Sequence, residues 1–312
     1  ERTAAIAGYV GLIARLRGDY PSAMAAFEAA QAALAQYGGT DEEVATIWNN
    51  QGLTELELGL DVAAAESFQQ ALQRFKRLGR VRHLASVAQN IGFIYLELKR
   101  YEDAWHFTNK ALEWYAELGE TSLNRLLTCS TMAAICQAMA RFEEADAILE
   151  TASELLVGHP YPVAEQYLCS NRGSLAETRL EKAQAAGDEI AACRWRQEAL
   201  GQYEQALVLA ESHQLSQRLW KARMRLGIFL TDHVRGEQDR AWRLLEQARN
   251  GFLTQQGSLT GEKERRSFLV QQRGLYGALI ENALSRQDTA LAWSLAQEAK
   301  QAGWIAGLPG DF

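Results

Sequence analysis

The sequence predicts an all-α protein: a right-handed α-α superhelix of about six helix pairs followed by a C-terminal capping pair. Three observations carry this. First, 50 of the 312 residues are Ala and only 4 are Pro, a composition that favours helix and argues against a sandwich or barrel. Second, small residues recur at Gly11, Gly52, Gly92, Ala133 and Gly173, separated by 41, 40, 41 and 40 residues, with Gly227 as the next equivalent. Third, turn signals such as Arg17-Gly18-Asp19 and Leu58-Gly59-Leu60-Asp61 fall between the helical stretches. In these turns Gly supplies a left-handed helix terminus and Asp the following N-cap.

The register assigns each element in order. Twelve residues after the first four small positions stand Ala23, Ala64, Ala104 and Ala145. Four and seven residues further come Phe27 and Ala30, Phe68 and Ala71, Thr108 and Ala111, and Leu149 and Ala152. The fifth and sixth units give Ala199, Tyr203 and Ala206, then Ala241, Leu245 and Ala248. Each unit therefore reads as two antiparallel helices, A and B. The small residue of A and the alanines of B allow close approach, and the larger residue between the alanines fills the remaining space. Such a unit cannot bury its apolar face alone, so neighbours stack. The array is expected over residues 1–255, with repeats at about 3–38, 41–79, 81–119, 121–158, 162–214 and 215–255. Residues 256–312 are expected to form the terminal pair.

Unit five holds 26 residues between Gly173 and Ala199 where the first four units hold 12. Shared equally, the extra length adds about two turns to each helix and keeps the packing phase. This predicts a longer hairpin with its tip at Gly187-Asp188. After about residue 256 the register is lost to inspection, and two helices are expected at roughly 263–286 and 288–306, with Asp288 as N-cap.

The spacing resembles the tetratricopeptide repeat, in its longer-period form. The small, alanine, aromatic and alanine positions match, as does Trp48 four residues before Gly52. The family's usual terminal proline is missing, and Leu78-Gly79 and Leu118-Gly119 stand in its place. The tail resembles the helical segment that joins tetratricopeptide arrays to CHAT domains, the caspase-like peptidases of bacterial proteins. The matching residues are Arg266-Ser267-Phe268, Leu275-Tyr276, Leu279-Ile280, Leu295-Ala296 and Glu298-Ala299-Lys300, with a departure at Gln301-Ala302-Gly303. With the missing initiator Met, this resemblance implies a regulatory arm whose catalytic domain would follow Phe312.

The chain offers little for catalysis. Cys129, Cys136 and Cys169 fall at helix-A packing positions, and Cys193 alone is expected to be exposed. The five histidines are scattered, with no metal-ligand spacing. No glycine-rich loop follows a strand, so neither a metal nor a cofactor is expected. A net charge of −7 gives no case for nucleic acid. No apolar run is long enough to span a membrane, and the unpaired cysteines fit a reducing, cytoplasmic setting.

The candidate site is the face of helix A that would line a concave groove. Asn50, Asn90 and Asn171 stand two residues before the small position, and Asn49 and Gln89 one residue earlier. Helix interiors disfavour Asn, so its recurrence at one register position asks for a partner. An amide, donor and acceptor together, complements an extended peptide backbone; in related repeats this asparagine often contacts a bound peptide, which the resemblance implies here. Bracing of the neighbouring repeat is the competing role. Glu57 and Glu97 lie near the same face and are expected to read a basic ligand group or to be solvated. Phe93 and Tyr167 would be the aromatic lining of a closed pocket. The expected function is non-catalytic binding of a protein or peptide. A ligand-sensing regulator of signalling or transcription and a self-associating assembly scaffold are the alternatives.

Overall fold

The computed structural model describes residues 2–119, 122–157, 160–256 and 273–301, and every secondary-structure element among them is helical. The fourteen helices are α1 (Arg2–Leu16), α2 (Tyr20–Tyr37), α3 (Asp41–Glu57), α4 (Asp61–Arg77), α5 (Val81–Glu97), α6 (Tyr101–Glu117), α7 (Leu123–Ala138), α8 (Phe142–Leu156), α9 (Pro162–Ala185), α10 (Glu189–Ser212), α11 (Ser216–His233), α12 (Gln238–Gln256), α13 (Arg273–Ser285) and α14 (Thr289–Gln301). Odd-numbered helices are A and even-numbered helices B. They form two compact units, α1–α8 and α9–α14.

In the first unit each hairpin packs internally, each helix B packs on the next helix A, and α1, α3, α5 and α7 touch in sequence. The driving contacts are those the register dictates. All twelve helix-B alanines of the six pairs are buried, as are Phe27, Phe68, Thr108 and Leu149 between them. A side chain at the small position would strike these fillers: a Cβ on Gly11 would lie 2.6 Å from the Phe27 ring, and one on Gly52 3.0 Å from Phe68. Burying one such phenylalanine stabilises the hairpin by about 2–3 kcal/mol.

The turns obey one rule with two sets of residues. After α1, α3, α9 and α11 the left-handed position is Gly18, Gly59, Gly187 and Gly236, but after α5 and α7 it is Lys99 and Ala140, with φ near +58°. After α3, α5 and α7 the geometry is common because the following amide bonds back five residues: Leu60 to Glu55, Arg100 to Tyr95, and Arg141 to Cys136, at 2.8 Å each. Asp19 and Asp188 cap α2 and α10 through their side chains. Asp61 does not cap α4. Leu60 occupies the N-cap without a side-chain bond, and Asp61 falls one residue inside the helix. Its Oδ1 is buried without a hydrogen-bond partner, and burial pushes the carboxyl pKa up.

One face of α1 is uncovered. Ile6, Val10 and Ile13 are 63%, 51% and 50% exposed. The same register positions in α5, Val87, Ile91 and Ile94, are at most 1% exposed because the preceding pair covers them.

In the second unit, α9 and α10 are 24 residues each, against 17 for α3 to α6. The 14 additional residues are thus shared equally between the two helices, and Leu180, Ala183 and Ala192 of the lengthened part are buried. Arg179 and Arg194 each stack on Trp195 of the long hairpin, 4.8 and 4.9 Å from its ring centre.

The register does not end at α12. Asp288 caps α14 through Leu291, its amide bonds back to Ala283 at 3.0 Å, and Gln287 takes the left-handed position with φ +61°. Counting from that turn places Ile280 at the small position and Ala292, Ala296 and Ala299 at the three helix-B positions. Ala292 and Ala299 are buried. The pattern is hidden in sequence because bulk is exchanged: Ile for Gly on helix A, and Ala for the aromatic on helix B. Residues 263–272 and 302–306, included in the two expected tail helices, lie outside the described residues, as do Arg266, Ser267, Phe268, Ala302 and Gly303. α13 packs on α11 and α12. Arg249 of α12 meets Glu298 of α14, and the Tyr276 hydroxyl donates to that same carboxylate.

Candidate functional site

The helix-A layer of the first unit presents a continuous strip. Two residues before, one after and five after the small position, it reads Tyr9, Leu12 and Leu16 on α1, Asn50, Leu53 and Glu57 on α3, Asn90, Phe93 and Glu97 on α5, and Thr131, Ala134 and Ala138 on α7. Helical geometry puts these three positions on one face. The strip is therefore amide- and carboxylate-bearing in the middle and, apart from the hydroxyls of Tyr9 and Thr131, apolar at both ends. Among the described residues the Asn50 and Asn90 side chains make no hydrogen bond. Both are half-buried, and no other protein group among the described residues takes up their bonding capacity.

The neighbouring positions behave differently. Gln89 turns inward and accepts a 3.4 Å bond from the Tyr115 hydroxyl of α6, a brace within its own pair. Asn49 is half-buried, with Oδ1 lacking a partner. Glu57 is exposed but stands beside the Tyr20 hydroxyl, whose pKa is pushed up to about 12, first by burial and then by this carboxylate. Phe93 is 38% exposed.

Tyr167 and Asn171 belong to the second unit, on α9. Tyr167 is occupied: the Arg218 guanidinium of α11 lies 3.6 Å from its ring centre and donates to its hydroxyl. Phe93 and Tyr167 are thus placed in separate units, each among its own neighbours.

Cys129, Cys136 and Cys169 are buried and Cys193 is exposed. Burial pushes the Cys129 and Cys169 thiols up to about 11, which makes them poor nucleophiles at neutral pH. No group of three or more His, Cys, Asp or Glu among the described residues could hold a metal. No helix among them is long and apolar enough to cross a membrane.

Sequence reasoning missed one feature, in the α3–α4 hairpin. Trp48, Gln51 and Glu55 of α3 and Ala63, Glu66, Ser67 and Gln70 of α4 line a cavity of about 420 Å³. Glu55, only 4% exposed, accepts hydrogen bonds from Ser67 at 2.6 Å and from Gln51 at 2.8 Å. Gln51 in turn accepts from Gln31 of α2 at 2.7 Å. Desolvation pushes the Glu55 pKa up despite these two donors, and Glu66 adds to the rise. The signal was available: three residues after the small position the other units carry Ala14, Tyr95, Cys136, Ala176 and Leu230. A carboxylate there breaks an otherwise apolar register.

The fold is that of an all-helical repeat protein. The family model for the tetratricopeptide repeat matches residues 2–77 and 83–156, all of them in the first unit. Among solved structures, the apo form of RapI is similar over 96% of this chain and 99% of its own, at 14% identity and TM-score 0.62. A Rap protein complexed with Competence and Sporulation Factor is similar over 96% and 97%, at 12% identity and TM-score 0.61. The Rap conjugation gene regulator of plasmid pLS20, in complex with the Phr* peptide, is similar over 97% and 76%, at 14% identity and TM-score 0.56. At these identities the likeness is one of fold. Comparison with curated proteins gives no match.

Proposed function

We propose that the chain is a non-catalytic peptide-binding regulator, and that an extended peptide lies along the helix-A strip of the first unit with its main chain held by Asn50 and Asn90. The observation that carries this is the pair of unspent amides at one register position on adjacent helices. The apolar ends of the strip, Leu12 and Leu16 on one side and Ala134 and Ala138 on the other, suit flanking apolar side chains. Two of the solved structures above are complexes, one with Competence and Sporulation Factor and one with the Phr* peptide, and the second agrees with a peptide ligand. In the finer form of this reading the array is the sensor arm of a CHAT-type protein. The tail resemblance supports it, and the Arg249–Glu298–Tyr276 cluster would carry a change in the array into the terminal pair.

The test is to select a peptide from a displayed random library on the intact chain, then measure it against Asn50→Ala combined with Asn90→Ala. A loss of tenfold or more with an unchanged melting temperature is expected, since each main-chain bond contributes about 1 kcal/mol. Unchanged affinity with a lowered melting temperature would assign both amides to the scaffold instead.

A further inference from the structure

The polar cavity of the α3–α4 hairpin has no role in the peptide reading. At roughly 100° per residue, Trp48, Gln51 and Glu55 lie about half a turn around α3 from Asn50 and Glu57. The equivalent space in the next hairpin shows what scaffolding alone requires. There the positions of Glu55 and Ser67 are taken by Tyr95 and Phe107, whose rings pack with centres 5.6 Å apart. The sixth pair uses Leu230 and Leu244, and the first uses Ala14 and Ala26. The second pair alone places a carboxylate and a hydroxyl at these two positions, and it leaves space beside them.

A buried carboxylate is a poor brace. Removing its charge from water costs several kcal/mol, whereas the apolar pairs at the same register positions stabilise the fold without that cost. Glu55 is nonetheless held firmly. Its backbone oxygen is fixed by the turn bond from Leu60, and both carboxylate oxygens are oriented by Ser67 and Gln51. Across the cavity stand a second carboxylate, Glu66, the Trp48 indole and the amide of Gln70. No Lys, Arg or His lines the space. Two carboxylates, an aromatic face and an amide, with no cation among them, form the complement of a basic side chain: charge attracts it, the indole stacks on it, and the amide accepts from it.

We propose that this cavity is a recognition site for a basic side chain on a protein or peptide partner, with Glu55 and Glu66 flanking the cation and Trp48 against its face. A guanidinium fits better than an ammonium, because its planar fork can meet a carboxylate and stack on an indole at once. The volume of about 420 Å³ is ample for one arginine side chain.

The probes are Nα-acetyl-arginine amide, the lysine equivalent and the neutral near-isostere Nα-acetyl-citrulline amide, titrated against the whole chain by ligand-observed NMR. The arginine compound should bind at least tenfold more tightly than the citrulline one. Glu66→Gln and Glu55→Gln should each weaken it severalfold, and adding 0.5 M salt should weaken it further. Glu66 is exposed, so its variant decides the question even if Glu55→Gln is poorly folded. Equal binding of arginine and citrulline compounds, or arginine affinity unchanged in Glu66→Gln, would overturn the proposal. Lysine binding as tightly as arginine would overturn the guanidinium preference while supporting the cation site. The Asn50→Ala, Asn90→Ala double variant should keep the arginine affinity, so this test and that of the peptide strip fail separately.

Discussion

The α3–α4 and α5–α6 hairpins are built on the same spacing and equal helix lengths, yet they fill their interiors in opposite ways. In α3–α4 the bulk is Phe68, seated on Gly52, and the positions beside it are the hydrogen-bonded Glu55 and Ser67. In α5–α6 the seat over Gly92 holds the small Thr108, and the bulk has moved to Tyr95 and Phe107. Each hairpin keeps close helix approach, because what one position loses in volume another gains. The difference teaches that the register fixes where helices meet but leaves the chemistry at the meeting points open. One hairpin has used that freedom for packing and the other for a polar cavity.

Substitutions at the two seats should separate the hairpins most widely. Phe68→Ala removes a fully buried ring and should cost about 3–5 kcal/mol in chemical denaturation. Thr108→Val should do the reverse, gaining about 1 kcal/mol, because the Thr108 hydroxyl is buried with no hydrogen-bond partner. Similar losses at both sites would show that the hairpins are packed alike after all.

A smaller contrast is expected at the glycines facing those seats. A Cβ on Gly52 meets ring carbons of Phe68 at 3.0 Å, which a slight tilt of the ring relieves. On Gly92 it meets Thr108 Oγ1 at 2.1 Å, the Thr108 backbone nitrogen at 3.2 Å and the Ala104 oxygen at 3.3 Å. The helix backbones themselves must part. Gly92→Ala should therefore cost about 2–3 kcal/mol and Gly52→Ala about 1 kcal/mol, read as shifts in denaturation midpoint. The reverse order would mean that helix α6 yields more easily than the Phe68 ring.

The smallest effect distinguishes the hairpins by pH. The folded-state pKa of Glu55 lies above its ordinary value of 4.5, so the folded chain holds this proton more tightly than the unfolded one. Stability from this group is therefore full below pH 4.5 and falls as pH rises through the folded-state value. The melting temperature should drop as pH rises above about 4.5, and Glu55→Gln should flatten that part of the profile. A profile with the same slope in the variant would place the titration elsewhere.

How far the site was legible in sequence follows the same division. Asn50 and Asn90 announced themselves because Asn is costly inside a helix, and both are half-buried. Gln89 looked equivalent to Asn49 but is turned inward by Tyr115, a partner 26 residues away that only packing brings near. Tyr167 read as pocket lining and is instead covered by Arg218, 51 residues on. Asp61 looked like a cap by its place after Gly59, but the helix begins one residue sooner, with Leu60 at the N-cap and Asp61 already inside it. The terminal pair was expected, but its place in the repeat register was illegible for a different reason: Ile280 and Ala296 exchange the large and small roles, so a search for small residues passes over them.

The sequence by itself determined the helices, their pairing and the period, because these rest on local propensity and on a spacing that survives any change of neighbour. It also determined the length of the fifth hairpin, since adding whole turns to both helices is the change that keeps the faces aligned. Tertiary structure alone decided which polar side chains are spent and which remain available. That depends on contacts between residues far apart in the chain, as when Ser67, Gln51 and Gln31 converge around a glutamate that the sequence shows only as one more charge on a helix.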